Sequence, residues 1–267
     1  MDKSVTAAWR IVKYEGGRLQ EREDEVAAEY PLTIKVDGEE FATIVCSPSC
    51  LEDMVVGFLA SEGMIRSMEQ IRKLSLDPER GYADVELTAA QNTGKDWYNK
   101  RFIGSCCGKS RQFYFHNDAR TAKTITSRMT ITAEQCLALM RGLQQCSPDF
   151  RNTGGVHNAA LASTEELLVI RSDIGRHNAL DKIYGHCLQH RIPLKGKVLV
   201  FSGRVSSEVL LKTAKIGVGI VLSKSAPTQL ALQLADDLGI TVIGFIRGDS
   251  FNVYTHHERL VEISANR

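Results

Sequence analysis

The stretch IGSCCGKSR, residues 103–111, sets Cys106 and Cys107 side by side, with Lys109 and Arg111 just downstream. Neighbouring cations favour the thiolate, which is the form that attacks sulfur or carbon. A bridge between the two would be strained, because adjacent Cα atoms lie about 3.8 Å apart and ordinary disulfides span about 4.4–6.8 Å. A zinc site needs about four ligands, and neither a C-x-x-C nor a paired histidine stands nearby. Two readings stay open at this point: buried packing thiols, or an exposed loop carrying a nucleophile. The flanking Gly104, Ser105 and Gly108 favour the loop.

A second group of polar residues recurs after apolar runs in the C-terminal half. LLVIRS is followed by Asp173-Ile174-Gly175-Arg176-His177-Asn178, and KVLVF by Ser202-Gly203-Arg204. VGIVL is followed by Ser223-Lys224-Ser225, and ITVIGF by Ile246-Arg247-Gly248-Asp249-Ser250. Ligands of open α/β sheets sit at the carboxyl ends of the strands, where helix N-termini offer N–H groups to an anion. Arg204, Lys224 and Arg247 suit phosphates, and Asp249 suits a guanine edge or a ribose. One such loop could be mere turn chemistry. Several in register, three of them with a cation, predict a site for a phosphorylated, nucleotide-bearing ligand. No P-loop and no dinucleotide fingerprint occurs. His177 is a candidate for proton transfer or an ordinary hydrogen-bonded histidine.

TGGVHNAAL (153–161) places His157 where a zinc deaminase would hold a ligand. That chemistry needs H-x-E and a downstream P-C-x-x-C. Asn158 and Ala159 follow His157 and the chain has no C-x-x-C, so deaminase chemistry is excluded, though not a related fold. Cys46 and Cys50 bracket a helix start and read as structural, while Cys136, Cys146 and Cys187 read as packing thiols in helices.

The elements that must position these residues follow from periodicity. Residues 30–46 alternate around Val36-Asp37-Gly38 and predict a β-hairpin. Leu51, Met54, Val55, Phe58 and Leu59 predict an amphipathic helix, with Ser49 and Glu52 spaced as a capping box. Residues 70–88 predict two strands, and a helix starts near Thr132 with Gln135 in the capping position. Beyond it, strands at 167–173, 197–203, 218–224 and 240–246 alternate with helices at about 176–189, 208–215 and 227–238, with Pro227 in the first turn of the last. This rhythm predicts a largely parallel sheet covered on both faces. A boundary near residue 128 separates a smaller α+β domain, 1–128, ending in the Cys-Cys loop, from an α/β cofactor-binding domain, 129–267.

The 267 residues leave room for a substantial core. Thirty-three Lys+Arg against 32 Asp+Glu give no overall attraction to a nucleic acid. No apolar leader and no membrane-length apolar run is present. Seven scattered cysteines fit reduced thiols better than a disulfide framework. These features point to a cytoplasmic protein with neither nucleic-acid nor membrane partners.

PLTIKVDG, LEDMVVGFLASEGMI, SCCGKSR, TGGVHNAALA, DIGRHNALDKIYG, FSGRVSSEVLLKTAKIG and GFIRGDSFNVYTH, in this order, resemble the FdhD family, the formate dehydrogenase accessory sulfurtransferases. The resemblance implies a larger C-terminal three-layer α/β domain like that of cytidine deaminases, without protein-held zinc, plus the smaller N-terminal domain. It implies a sulfur carrier that takes sulfur from a cysteine desulfurase as a cysteine persulfide. The sulfur then passes to the molybdenum cofactor, Mo-bis(molybdopterin guanine dinucleotide), before that cofactor enters formate dehydrogenase. It also implies a homodimer. Family loops often read C-x-x-C-G-K. Here Cys107 keeps the C-G-K context, and Cys106 matches the first cysteine only across a gap. The cofactor-binding stretch corresponds to Phe245-Ile246-Arg247-Gly248-Asp249-Ser250, the strand end already singled out. The rivals are a cofactor chaperone without catalysis and a redox sensor using the vicinal thiols.

Overall fold

The computed structural model describes residues 4–88, 101–103, 122–146 and 152–264. Cys106 and Cys107 lie outside the described residues. A hairpin of β1 (Thr6–Glu15) and β2 (Arg18–Ala27) forms its own two-stranded sheet. Strands β3 (Tyr30–Val36), β4 (Glu39–Cys46), β5 (Ile71–Asp77), β6 (Tyr82–Leu87) and β7 (Arg101–Ile103) build a five-stranded sheet in the order β5-β6-β3-β4-β7. The β3–β4 turn needs two residues with positive φ. Asp37 (φ 50°) and Gly38 (φ 85°) supply them. Leu32, Ile34 and Val36 alternate inward with Ala42, Ile44 and Cys46 from β4.

The larger sheet contains β8 (His157–Ala162), β9 (Leu167–Asp173), β10 (Val198–Phe201), β11 (Ile220–Ser223), β12 (Thr241–Arg247) and β13 (Ser250–Val253). Its order is β13-β12-β11-β10-β8-β9. Between and around these lie α2 (Ala133–Gln145), α3 (Arg176–Gln189), α4 (Ser207–Ile216), α5 (Gln229–Leu238) and α6 (Val261–Ser264). Successive strand residues point to opposite faces. Ala159, Leu161, Leu199, Phe201 and Val221 therefore join the core formed with α3, α4 and α5. Ala160, Ala162, Val198, Val200 and Leu222 join a second core with Cys136, Leu139, Met140 and Leu143 of α2. The result is the expected three-layer α/β arrangement. The sheet is mixed rather than largely parallel: β10, β11 and β12 pair in parallel, whereas β8 runs antiparallel to β9 and β10, and β13 antiparallel to β12. Short connections at 163–166 and 248–249 allow only antiparallel neighbours.

Helix α1 (Leu51–Ser61) follows β4 and packs into the core that residues of both sheets share. All the predicted apolar positions are buried, but so is nearly every other residue of α1, because the helix also packs on α3. The two backbones touch at Gly57 and Gly185: a Cβ on Gly57 would overlap the Asp181 carbonyl, and one on Gly185 the Asp53 carbonyl. The Ser49–Glu52 box does not close. The N-cap is Cys50, held in the left-handed region at φ 49° with no side-chain cap. The Thr132–Gln135 box does close, at 3.2 and 2.9 Å. Pro227 precedes α5 rather than entering it, bridging to Val205 ahead of the N-cap Thr228.

Candidate functional site

Strands β9, β10, β11 and β12 end on one edge of the larger sheet, and the reversed strand β8 begins there. The register proves the point: His157 lies opposite Asp173 and Ala159 opposite Phe201. Four of the predicted loops are thus brought together, and hydrogen bonds fasten each to the next. Ser172 Oγ donates to Asn158 Oδ1 at 2.6 Å, and the Ser202 N–H donates to the Asn158 carbonyl at 3.0 Å. Ser223 Oγ donates to the Gly203 carbonyl at 2.8 Å, and the Lys224 N–H to the Phe201 carbonyl at 3.1 Å. The Phe245 N–H donates to the Ser225 carbonyl at 3.1 Å. Small residues are required here sterically as well. A Cβ on Gly203 would stand 2.9 Å from Phe201 Cζ and 3.1 Å from His157 Nδ1.

Arg204 is exposed in the β10–α4 loop, Lys224 is half-buried after β11, and Arg247 is exposed at the end of β12. Residues 245–250 form a tight hairpin at the rim. Phe245 takes a positive φ of 54° and is 38% exposed, with the Arg247 guanidinium 5.5 Å above its ring centroid. Gly248 (φ 59°) and Asp249 make the two-residue turn, and Ser250 Oγ donates to the Arg247 carbonyl at 3.2 Å. Ile246 differs from its neighbours: its side chain is 1% exposed within the α2-side core, so only its backbone faces the rim. The helix N-termini are less open than expected. Ser206 and Thr228 each cap their helix by accepting an N–H at 3.4 Å.

The edge also holds residues that the sequence reading did not enlist for the ligand. His157, Arg176, His177 and Glu208 gather at the start of α3. His177 Nε2 lies 3.1 Å from Glu208 Oε2, a contact that is an ion pair only when the imidazole is protonated. The His177 contact holds the Glu208 carboxyl below its ordinary value. Burial, then the nearby Arg176 and His177, lower the pKa of His157 and keep it neutral at pH 7. Arg176 Nε is buried without a partner among the described residues. A buried donor left unmade costs about 1–3 kcal/mol, so this N–H fits an anionic ligand. Arg176 stood in a loop already singled out. His157 was singled out only as a would-be zinc ligand, and its place at this edge follows from β8 running antiparallel to β9 and β10.

Behind this edge Asp173 is fully buried and organises the backbone. It accepts from Lys182 Nζ at 2.7 Å, the Gly175 N–H at 2.8 Å, the Ser47 N–H at 2.9 Å and Asn178 Nδ2 at 2.9 Å. The Ser47 bond ties the end of β4 to this edge. Strand β7 pairs in parallel with β4, with Ile103 opposite Ile44. Ile103 is the last described residue before Cys106 and Cys107 in the sequence.

The remaining cysteines divide by burial. Burial pushes the thiols of Cys46, Cys136 and Cys187 up to about 12, so they are protonated packing groups. Cys50 is half-buried. Cys146 is exposed at the C-cap of α2, so it is no packing thiol. Among the described residues no cluster of three or more His, Cys, Asp or Glu side chains could hold a metal, and no helix is long and apolar enough to cross a membrane.

The fold is a three-layer α/β arrangement, and Arg204, Lys224 and Arg247 stand at the carboxyl edge of its larger sheet, where ligands of open α/β sheets sit. Comparison with known proteins narrows the identification. The FdhD/NarQ family model matches residues 27–261. The sulfur carrier protein FdhD of Geobacillus kaustophilus is 63% identical over 251 residues, covering 94% of this chain and 95% of its own. That of Bacillus subtilis is 55% identical over 262 residues, covering 98% and 100%. A solved structure from Desulfotalea psychrophila, of a protein proposed to be a formate dehydrogenase accessory protein, is 26% identical and superposes with a TM-score of 0.79. It covers 97% of this chain and 100% of that one. The chain belongs to the FdhD/NarQ family.

Proposed function

We propose that this chain is a cytoplasmic sulfur carrier that takes sulfur from a cysteine desulfurase as a persulfide on Cys107 or Cys106. It hands that sulfur to Mo-bis(molybdopterin guanine dinucleotide) on the way to formate dehydrogenase. Its near-full-length relatives are sulfur carriers of this family, and its own sequence supplies the thiols. The loading step balances without a redox partner. The loop thiolate attacks the outer sulfur of the donor's persulfide; one S–S bond forms as another breaks, and the donor cysteine leaves as thiolate. Lys109 and Arg111 favour the attacking thiolate.

The observation that supports a shared site is the pairing of β7 with β4. Ile103 is fixed opposite Ile44, and Ser47 at the end of β4 is bonded to Asp173 at the cation-bearing edge. Cys106 follows Ile103 by three residues, a reach of about 10 Å. On this reading 1–128 carries the thiols and 129–267 holds the cofactor, which is substrate here rather than a resident group. Arg204, Lys224 and Arg247 neutralise its phosphates, Phe245 offers a ring face, and Asp249 accepts from the guanine. Ile246, Gly248 and Ser250 shape the turn that presents them. The protein acts as a homodimer, which makes two such sites.

The test is complementation of a strain lacking its own carrier, read as formate dehydrogenase activity. The double substitution Cys106→Ala/Cys107→Ala abolishes activity on this account. Full activity from the double variant would instead favour a cofactor chaperone that holds the cofactor without carrying sulfur.

A further inference from the structure

The β1–β2 hairpin takes no part in either core. Each strand is ten residues long, about 33 Å at the usual rise per residue. Nearly every side chain of the pair is solvent-facing. Trp9 is 64% exposed, Val12 60%, Tyr14 70% and Leu19 71%. The Ala28 N–H on the Val5 carbonyl at 2.9 Å extends the hairpin's own ladder by one rung, and among the described residues Asn152 Nδ2 on Glu25 at 3.1 Å ties it to the rest of the chain. A lone two-stranded hairpin is marginal in water, and an uncovered edge is a template for another strand.

Charge divides the two edges. β2 reads RLQEREDEVA and concentrates Glu21, Glu23, Asp24 and Glu25; β1 reads TAAWRIVKYE and offers small, apolar and basic residues through Tyr14. Pairing two β2 edges would bring these acids against one another, which is destabilising. Pairing two β1 edges across a two-fold axis leaves the acids on the outer rims. Registers centred on Ile11 or Val12 oppose no like charges. The Ile11 register sets Trp9 of each copy opposite Lys13 of the other, a favourable cation–π arrangement. A register centred on Arg10 would oppose two arginines.

From this we infer that the β1 edge, Thr6–Glu15, is a self-association surface. Two copies join their hairpins antiparallel, β1 to β1, into one four-stranded sheet ordered β2-β1-β1-β2. The inference rests on the reading that the protein is a homodimer, and it adds where the copies meet.

The experiment is sedimentation velocity on the full chain over a wide concentration range. It compares wild type with Ile11→Glu/Val12→Glu on the joining strand and with Glu23→Gln on the outer strand. Circular dichroism and the thermal midpoint check that all three fold. We expect a wild-type dimer, an unchanged dimer for Glu23→Gln, and self-association weakened at least about 100-fold for the β1 variant, since a two-fold interface loses each contact twice. A second variant, Trp9→Lys, reads the register: centred on Ile11 it sets lysine against Lys13 and weakens the dimer, whereas centred on Val12 it sets lysine against Glu15 and does not. A folded β1 variant that remains as tightly dimeric as wild type overturns this inference and leaves the homodimer reading standing. A monomeric wild type at every concentration overturns both.

Discussion

Asp173→Ala should cost this protein a large part of its stability. Asp173 and Lys182 are both fully buried and 2.7 Å apart. Among the described residues, truncating the acid leaves the buried ammonium on the Ser47 carbonyl at 3.1 Å and the Ser172 carbonyl at 3.3 Å. Breaking such a pair from one side costs about 3–5 kcal/mol. The Ser47 and Gly175 N–H groups also lose their acceptor, at about 1–3 kcal/mol each when a donor is orphaned. The terms overlap, so we expect about 4–6 kcal/mol, against a total of about 5–15 kcal/mol for folded domains. Equilibrium urea unfolding, extrapolated to water, reads the difference. The double variant Asp173→Ala/Lys182→Met removes the stranded charge and should recover about 2 kcal/mol or more of that loss. A single variant within about 1 kcal/mol of wild type, or a double variant worse than the single, would refute the reasoning.

Four further outcomes follow from the structure. Cys46, Cys136 and Cys187 titrate in the folded chain near about 12, so iodoacetamide at pH 8 should leave them unlabelled until denaturant is added. In the unfolded chain thiols ionise near about 8.5, so these groups favour folding below that pH and the benefit is lost as pH rises toward about 12; unfolding midpoints should fall across that window. Gly57→Ala places a methyl group on the Asp181 carbonyl. Because backbone meets backbone there, it should cost at least the ~3 kcal/mol upper range of ordinary overpacking, read by the urea midpoint. Arg247→Ala should weaken GDP binding about tenfold by calorimetry, the loss of one charge-assisted phosphate contact, with the unfolding midpoint unchanged.

Much of this architecture was legible in local pattern. The turn at Asp37–Gly38, the Thr132 capping box, and the apolar runs of β9 through β12 each announce themselves within a few residues. Helix α3 begins and ends where its periodicity does. Long-range features were not legible. Strand β8 reads as a run of small residues, HNAALA, which no strand propensity favours. It becomes a central strand because its alanines fit between α2 and the helices opposite. Its reversed direction, which carries His157 to the site, depends on pairing partners far along the chain. Cys50 displaces the Ser49 cap because the backbone must turn sharply between β4 and α1. The β1–β2 hairpin escaped notice because its polar second strand lacks a buried face to impose alternation. The chemistry of the candidate site was clearest where strand ends repeat a composition, and weakest at Ile246, whose neighbours face solvent while it faces the core.

The most direct test of the sulfur-carrier account is intact-protein mass spectrometry after incubation with a cysteine desulfurase and cysteine, on wild type, Cys106→Ala and Cys107→Ala. The account predicts a reducible adduct of one sulfur atom on the wild-type chain, retained in one single variant and lost in the other, or moved between the two thiols if either suffices. No sulfur adduct on any form, with GDP binding intact, would contradict it.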